Sequence, residues 1–253
     1  MEPVSLLAGH VAGKFIDRMA KSFRLNVIER WSKHRSQQFF EQFCREVELE
    51  LAGGKSDKLE LMLDQMLENE TTTEFLFDSY RRVSLSRSKT VGPRVIGIIS
   101  ARLALQQREL TEVEETILDA AEQLYDDELI KFSEFCCEHR HRATNEKEKD
   151  VILSNDGILR IKWNSEQIDS NWNRDSDVSL EPLNLSDCYG DWAAKMQSLG
   201  ILKTDLTEKR WNYEEDSERH IDQKGTVREI SWWVLTFDKY FDFAEIINRV
   251  KPK

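Results

Sequence analysis

The longest regular hydrophobic pattern in the chain runs from Thr111 to Arg142 and limits what the chain can fold into. Apolar residues recur there at steps of three and four, which places them on one face of a helix; they are Ile117, Ala121, Leu124, Phe132 and Cys136. Thr111 and Glu114 have the spacing of a capping box, which closes a helix N-terminus. We therefore predict one helix over 111–142, about 48 Å long at 1.5 Å per residue, as the spine of a helical domain.

Helical spacing also dominates the rest of the N-terminal half. It predicts either one helix over 4–31 or two joined near residues 25–26, then a helix over 36–51 and further helices that begin near Asp57, Thr73 and Pro93. The chain has only 10 Gly and 4 Pro among its 253 residues. A β-sandwich or barrel needs more turn residues than that, so a mainly helical protein is favoured.

The pattern changes after Ala143, where a charged connector leads into β-rich segments. Asp156-Gly157 stands between two such segments and predicts a hairpin. The further elements that we expect, in chain order, are a loop over 165–182, a helix over 186–199, a strand from 201, a charged loop over 206–225, a strand over 227–235 and a helix over 237–250. The predicted fold is mainly α: a helical domain over 1–143 and a small α+β, winged-helix-like module over 150–253.

Charge and cysteine usage limit the setting of the protein. The net charge of −11 argues against general coating of nucleic acid, which needs a basic surface. The four cysteines, Cys44, Cys136, Cys137 and Cys188, have no disulfide-framework spacing and read as reduced thiols. The chain starts without a basic segment before its short apolar stretch, and no apolar run approaches the ~20 residues of a membrane helix. We expect a cytoplasmic protein that does not enter membranes.

Two motifs resemble parts of ligand sites. Gly53-Gly54-Lys55-Ser56 is similar to the end of a phosphate-binding loop, but Leu49 stands where that loop needs a glycine, so a helix–helix turn fits better. Cys137 and His141 lie one helical turn apart and could supply two metal ligands, with Cys136 and His139 nearby. A closed site needs four ligands, so a helix end with a cationic last turn is the preferred interpretation.

A third motif is similar to metal-dependent nucleases. Asp156, Arg160 and Lys162 follow the order of an acid, a second ligand and a lysine, but an arginine stands where the second ligand belongs. A Cys–His nucleophile pair is disfavoured, since nothing nearby indicates an oxyanion hole. We therefore expect no enzymatic activity, no cofactor and no metal.

The segment from Arg81 to Arg94 is the sharpest local signal. It carries five basic residues, four hydroxyls and no acid, and it ends where a helix begins. Such a segment can bind phosphates or an acidic partner. The candidate partner-binding residues are Arg81, Arg82, Arg87, Lys89 and Arg94. Alternatively, these cations pair with the chain's own stretch 109–128, which has nine acids and no base and could itself face a basic partner.

Three short motifs resemble the Abi-alpha type of bacterial abortive-infection protein. They are Leu110–Glu114, Leu199–Leu202 and Leu235–Phe237, and the resemblance covers roughly the second half of the chain. It implies a helical region followed by a winged-helix-like part, and a role in phage exclusion. The partner would then be a phage or host protein, for instance one that binds phage nucleic acid.

Two functions remain as hypotheses. The first is a non-catalytic interaction protein, homo-oligomeric, that excludes phage by binding a phage or host component. The alternative is a winged-helix transcription regulator that reads DNA with the helix after Ser186. That helix offers Asp187, Asp191, Lys195 and Gln197, a poor set for phosphates, so direct contact with nucleic acid stays open.

Overall fold

Helices make up most of the chain that the computed structural model describes, namely residues 29–50, 61–62, 64–66, 68–144, 149–169, 181–215 and 223–252. A small four-stranded antiparallel sheet lies towards the C-terminus, so the predicted fold class is confirmed. Two compact units are present: a helical unit from 1–134 and 242–253, and a sheet unit from 135–241. The predicted helical region over 4–31 lies outside the described residues as far as residue 28, and so do the predicted cap at Asp57 and the loop 53–56. The predicted break between residues 31 and 36 is wrong, because one helix covers Glu29–Glu50.

In the described part of the chain, the helical unit contains the following helices. They are α1 (Glu29–Glu50), α2 (Glu70–Leu85), α3 (Val91–Gln106), α4 (Glu112–Gln123), the first part of α5 (Asp126–Ala143) and most of α8 (Phe241–Val250). Helix α3 lies at the centre, since it packs against α1, α2 and α4 and buries most of its residues. Phe39, Phe40 and Phe43 of α1 are fully or almost fully buried and form the aromatic part of this core.

The predicted spine helix over 111–142 is wrong, because the chain breaks between α4 and α5. Leu124 adopts an extended conformation with ψ of 154° and ends α4. The Tyr125 N–H donates to the Glu128 carboxylate at 2.9 Å, which satisfies a backbone donor at the start of α5. Leu124 is fully buried, so its apolar side chain keeps the helical spacing although its backbone does not. The predicted capping box at Thr111 and Glu114 is confirmed.

Two other predicted helix starts are shifted. Helix α2 is capped by Asn69, whose side chain accepts from the Thr72 N–H at 3.0 Å, rather than by Thr73. Helix α3 begins at Val91, so Pro93 is its third residue and not its first. Proline is tolerated there because the N–H groups of the first turn have no acceptor within the helix.

The capping box predicts a pH dependence of stability. The Arg108 guanidinium, which donates to both oxygens of Glu114, is the largest cause that lowers the pKa of this carboxyl from 4.5 to about 2. A lowered pKa means that the folded state gains stability above the ordinary value and loses it as the pH falls from 4.5 towards 2. We expect Glu114→Gln to lower the melting temperature at pH 7 by more than at pH 3, with Glu115→Gln as the control. An equal loss at both pH values would contradict this contribution.

The sheet unit contains four strands and two short helices. They are β1 (Val151–Leu153), β2 (Ile158–Asp169), α6 (Leu185–Tyr189), α7 (Asp191–Ser198), β3 (Leu202–Glu215) and β4 (Gln223–Phe237), followed by a 3-10 turn (Asp238–Tyr240). The strand order is β1-β2-β4-β3, with every neighbouring pair antiparallel. The predicted hairpin at Asp156-Gly157 is confirmed, and Gly157 takes a φ of 76° that favours glycine.

The predicted charged loop over 206–225 is wrong for most of its length. Strand β3 continues to Glu215 and β4 begins at Gln223. The charged residues in these parts of β3 and β4 are compatible with a sheet because they pair across it, as Arg228 does with Glu208 at 2.8 Å. Strand β2 likewise extends to Asp169, into the predicted loop over 165–182. The predicted helix over 186–199 is two helices, since Gly190 has a φ of 92° between them.

The closing helix belongs with the helical unit. We predicted a C-terminal module over 150–253, whereas residues from Asp242 on pack among the N-terminal helices. The ring centroid of Phe243 lies 5.4 Å from that of Phe132, and the Ser133 hydroxyl donates to the Ala244 carbonyl at 2.7 Å. Arg249 also donates to the buried Glu46 carboxylate of α1 at 2.6 Å. None of the described helices is both long enough and apolar enough to cross a membrane.

Candidate partner-binding site

The basic segment 81–94 forms the end of α2, a short loop and the start of α3. The Asp126 carboxylate organises this loop from α5. One of its oxygens accepts from the Ser88 hydroxyl and from the N–H groups of Thr90 at 3.2 Å and Val91 at 2.8 Å. Its other oxygen accepts from the Lys89 N–H at 3.3 Å. Because Thr90 makes no side-chain cap, Asp126 supplies the acceptor that the N-terminus of α3 requires.

Further hydrogen bonds hold the loop against the end of α4. The Arg87 N–H donates to the Glu122 carbonyl at 2.9 Å, and the Ser86 hydroxyl donates to the Ala121 carbonyl at 3.1 Å. Gly92 allows this close approach, since a Cβ there would collide with the Ala121 carbonyl oxygen. The loop backbone is therefore fixed by at least two neighbouring elements.

Two of the five predicted residues are used inside the helical unit. Arg82 forms ion pairs with Asp119 and Glu122, and only 19% of its side chain is exposed. Arg94 donates to Gln38 at 2.7 Å and to the Val250 carbonyl at 2.9 Å. The internal pairing that we weighed against partner binding is therefore present for Arg82.

The other three predicted residues lie at the surface. Arg81 is exposed and pairs with Asp78 at 3.5 Å, one turn earlier on α2. Arg87 and Lys89 are exposed, and among the residues that the structure describes neither side chain forms an ion pair with a carboxylate within 4 Å. Their charged groups are therefore available to an acidic partner.

Two apolar residues of this surface were not predicted from the sequence. Leu85 is 62% exposed at the end of α2, and Tyr125 is 50% exposed at the α4–α5 break. In the chain, Tyr125 stands between Glu122 and Asp126, both of which contact the loop. No sequence signal distinguishes these positions from buried ones, because both continue an apolar helical pattern. We name Arg81, Leu85, Arg87, Lys89 and Tyr125 the loop patch.

Most acids of the stretch 109–128 already have partners in the structure. Glu114 binds Arg108, Asp119 and Glu122 bind Arg82, and Asp126 binds the loop. Asp127 forms an exposed pair with Lys131 at 3.4 Å. This stretch therefore serves the fold of the helical unit at these positions, which leaves less of it for a basic partner.

The residues considered for metal binding are separated by burial. Cys136 is buried, Cys137 is exposed, and the buried His139 ring places Nδ1 2.8 Å from the Phe135 carbonyl oxygen. Within the described ranges no group of three or more His, Cys, Asp or Glu side chains is placed to hold a metal ion. At the hairpin, Arg160 pairs with Asp205 at 3.9 Å, and Lys162 lies between Asp150 and Glu229 at 3.9 and 3.6 Å.

Thiol reactivity should follow burial. Burial, with a smaller contribution from Glu48, raises the pKa of the Cys44 thiol to about 12, and burial also raises the pKa of Cys136. Because the thiolate is the reactive form, these two cysteines should resist modification in the native protein. We expect a disulfide reagent to modify Cys137 first and all four cysteines only after denaturation. Rapid native labelling of Cys44, located by peptide mapping, would contradict this assignment.

The short helices of the sheet unit bear on the alternative of DNA recognition. Helix α7 turns Trp192, Ala193 and Met196 into the core of the sheet unit, and its exposed first residue is Asp191. A helix that enters the major groove presents basic and amide groups outward, whereas α7 has Lys195 as its one basic residue.

No family model, curated protein or solved structure matches this chain.

Proposed function

We propose that the chain is a non-catalytic interaction protein that docks an acidic segment of a partner protein on the loop patch. The observation that carries this proposal is the exposure of Arg87 and Lys89 beside Leu85 and Tyr125, on a loop whose backbone Asp126 holds in place. Tyrosine and arginine are, with tryptophan, the residue types most enriched among the residues that dominate binding at protein interfaces.

The rigid backbone of the loop favours binding. A partner that docks on a preformed loop does not have to order it, so less of the interaction energy is lost on association. The cations steer an acidic segment towards the patch and select against basic ones. The exposed leucine and tyrosine supply apolar area that the partner can bury.

The biological setting is proposed from the resemblance alone. The partner would be a phage or host component in the bacterial cytoplasm, such as a phage protein that binds nucleic acid. The proposed outcome of docking is exclusion of the phage, without a chemical reaction on this chain.

The test compares two triple variants with the same change in charge. The first is Arg81→Glu/Arg87→Glu/Lys89→Glu, which reverses the loop patch. The second is Arg45→Glu/Lys131→Glu/Lys149→Glu, which reverses three exposed cations elsewhere. Each tagged protein is recovered from bacteria with and without phage infection, and half of every sample is treated with nuclease. The efficiency of plating of a phage panel is measured on cells that express each variant.

We expect the wild type and the second triple variant to retain the same nuclease-resistant protein and the same plating defect. The loop-patch variant should lose both, with an unchanged melting temperature. Recovery of the same partner by the loop-patch variant would place docking elsewhere. Loss of recovery on nuclease treatment would instead favour the DNA-binding alternative, with a steep dependence on salt.

A further inference from the structure

Strand β3 forms one edge of the sheet within the described part of the chain. It is 14 residues long and pairs with β4 along its whole length, so its outer side has no strand neighbour there. Its exposed side chains include Lys203, Asp205, Lys209 and Trp211. A long edge strand presents a row of backbone N–H and C=O groups that can pair with another strand. The charges on β3 restrict which strand that can be.

A second copy of β3 can continue the sheet only in certain registers. Antiparallel addition of an identical strand places a two-fold axis perpendicular to the sheet, so directly opposite residues must share a face. Each permitted register therefore has one central residue that lies opposite the same residue of the second copy. Residues at equal distances before and after that central residue lie opposite each other across the axis.

Within residues 202–211, the part of β3 whose side chains are described, the registers that pair at least seven residues are centred on residues 205–208. Centres at Asp205 and Glu208 put each of these charges opposite its own copy. A centre at Leu206 puts Lys203 opposite Lys209. Like charges directly opposite each other destabilise a strand pair. The register centred on Thr207 places no like charges opposite each other. It puts Asp205 opposite Lys209 and Lys203 opposite Trp211, and each of these pairs occurs twice.

We propose that β3 pairs with β3 of a second copy of this chain in the register centred on Thr207, which joins two four-stranded sheets into one. The Trp233 Nε1–H donates to Thr207 Oγ1 at 2.8 Å, which positions this hydroxyl, and the hydroxyl's own proton can donate across the axis. Thr–Thr, opposite-charge and cation–aromatic pairs are among the favourable cross-strand combinations. Trp211, 40% exposed in one copy, gains a cation as neighbour.

This interface is separate from the proposed docking function, because the loop patch lies in the helical unit. The dimer can therefore fail while partner capture survives, and the reverse also holds. The two proposals are distinguished by the variants below, which change β3 alone and leave the loop patch intact.

The first experiment is a charge swap measured by light scattering after size-exclusion chromatography over a range of protein concentrations. The wild type should have twice the mass of one chain. Lys209→Asp puts an aspartate opposite Asp205 at two places and should weaken the dimer by roughly tenfold or more. The double variant Asp205→Lys/Lys209→Asp restores opposite charges and should recover the dimer. A monomeric wild type, or a double variant that is weaker than Lys209→Asp, would overturn the proposal.

The second experiment tests the register with a disulfide. In a Cys137→Ser/Cys188→Ser background, Thr207→Cys places the two sulfurs of a dimer on the axis, within the Cα separation of ~4.4–6.8 Å that a disulfide needs. Lys209→Cys is the matched control, since its two copies lie about 13 Å apart along the strands at ~3.3 Å per residue. Mild oxidation should link the Thr207→Cys chains and not the Lys209→Cys chains. Equal linking of both, or linking of neither, would sink the proposed register.

Discussion

Truncating Phe243 to alanine is expected to lower the free energy of unfolding by about 3–5 kcal/mol. The Phe243 ring is fully buried and packs on the ring of Phe132 at 5.4 Å between centroids. Removing it leaves a cavity that the neighbouring helices fill only in part. The effect is large because α8 is short, with 10 residues, and depends on this packing to stay on the helical unit. Urea denaturation with a two-state analysis measures it.

The matched control for this prediction is Phe77→Ala. Phe77 lies on α2 and is 36% exposed, so its removal leaves a smaller loss of buried area and should cost well under half as much. Similar losses for the two variants would mean that α8 contributes little to the helical unit. A loss for Phe243→Ala with a reduced denaturant slope would indicate that α8 alone had detached.

Replacing Asp126 by alanine is expected to cost about 2–4 kcal/mol of unfolding free energy. The substitution leaves the Ser88 hydroxyl and the N–H groups at the start of α3 without their acceptor. It also removes the negative charge that the helix N-terminus favours. Asp126→Asn keeps an oxygen acceptor without the charge, so its effect should be intermediate. Thermal and urea unfolding of both variants measure this order.

The neighbouring residue supplies the control for Asp126. Asp127→Ala removes an exposed carboxylate whose side chain is 69% accessible and whose partner is Lys131. Exposed pairs of this kind contribute about 0.3–0.5 kcal/mol. If Asp127→Ala were as harmful as Asp126→Ala, general helix effects rather than the loop contacts would be responsible.

Asp126 also links the fold to the proposed function. Asp126→Ala changes none of the residues of the loop patch, but it removes the contacts that hold the loop backbone. We expect partner recovery to fall at a temperature where the variant is still folded, because the partner must then order the loop. Full recovery of the partner by folded Asp126→Ala would show that the preformed loop is not needed for docking.

Local patterns were sufficient where the deciding interaction is itself local. The capping box at Thr111 and Glu114 joins residues three apart, and the hairpin at Asp156-Gly157 depends on one turn. The mainly helical class follows from the spacing of apolar residues and the scarcity of Gly and Pro. Of the candidate site, the sequence identified the basic segment and its exposed members Arg87 and Lys89.

The tertiary structure decided what depends on residues far apart in the chain. The apolar side chain of Leu124 continues the helical spacing, so the sequence gives no sign of a break. In the folded chain this side chain is buried while the backbone is extended, and α4 therefore ends before α5 begins. The charged ends of β3 and β4 are predicted as a loop from the sequence, because the pairing of their charges across strands is visible only in the folded sheet. Arg82 is a candidate site residue by sequence, and only the folded chain shows that it pairs with Asp119 and Glu122.

The sequence by itself determined the helical class, the hairpin, the capping box and the excess of acid over base. The placement of α8 among the helices of the N-terminal half, and the pairing of the loop with Asp126, required the folded chain. The reason is that periodicity reports which face of an element is buried and not which element covers it. Ion pairs and capping contacts between distant segments therefore become visible only once packing has brought the segments together.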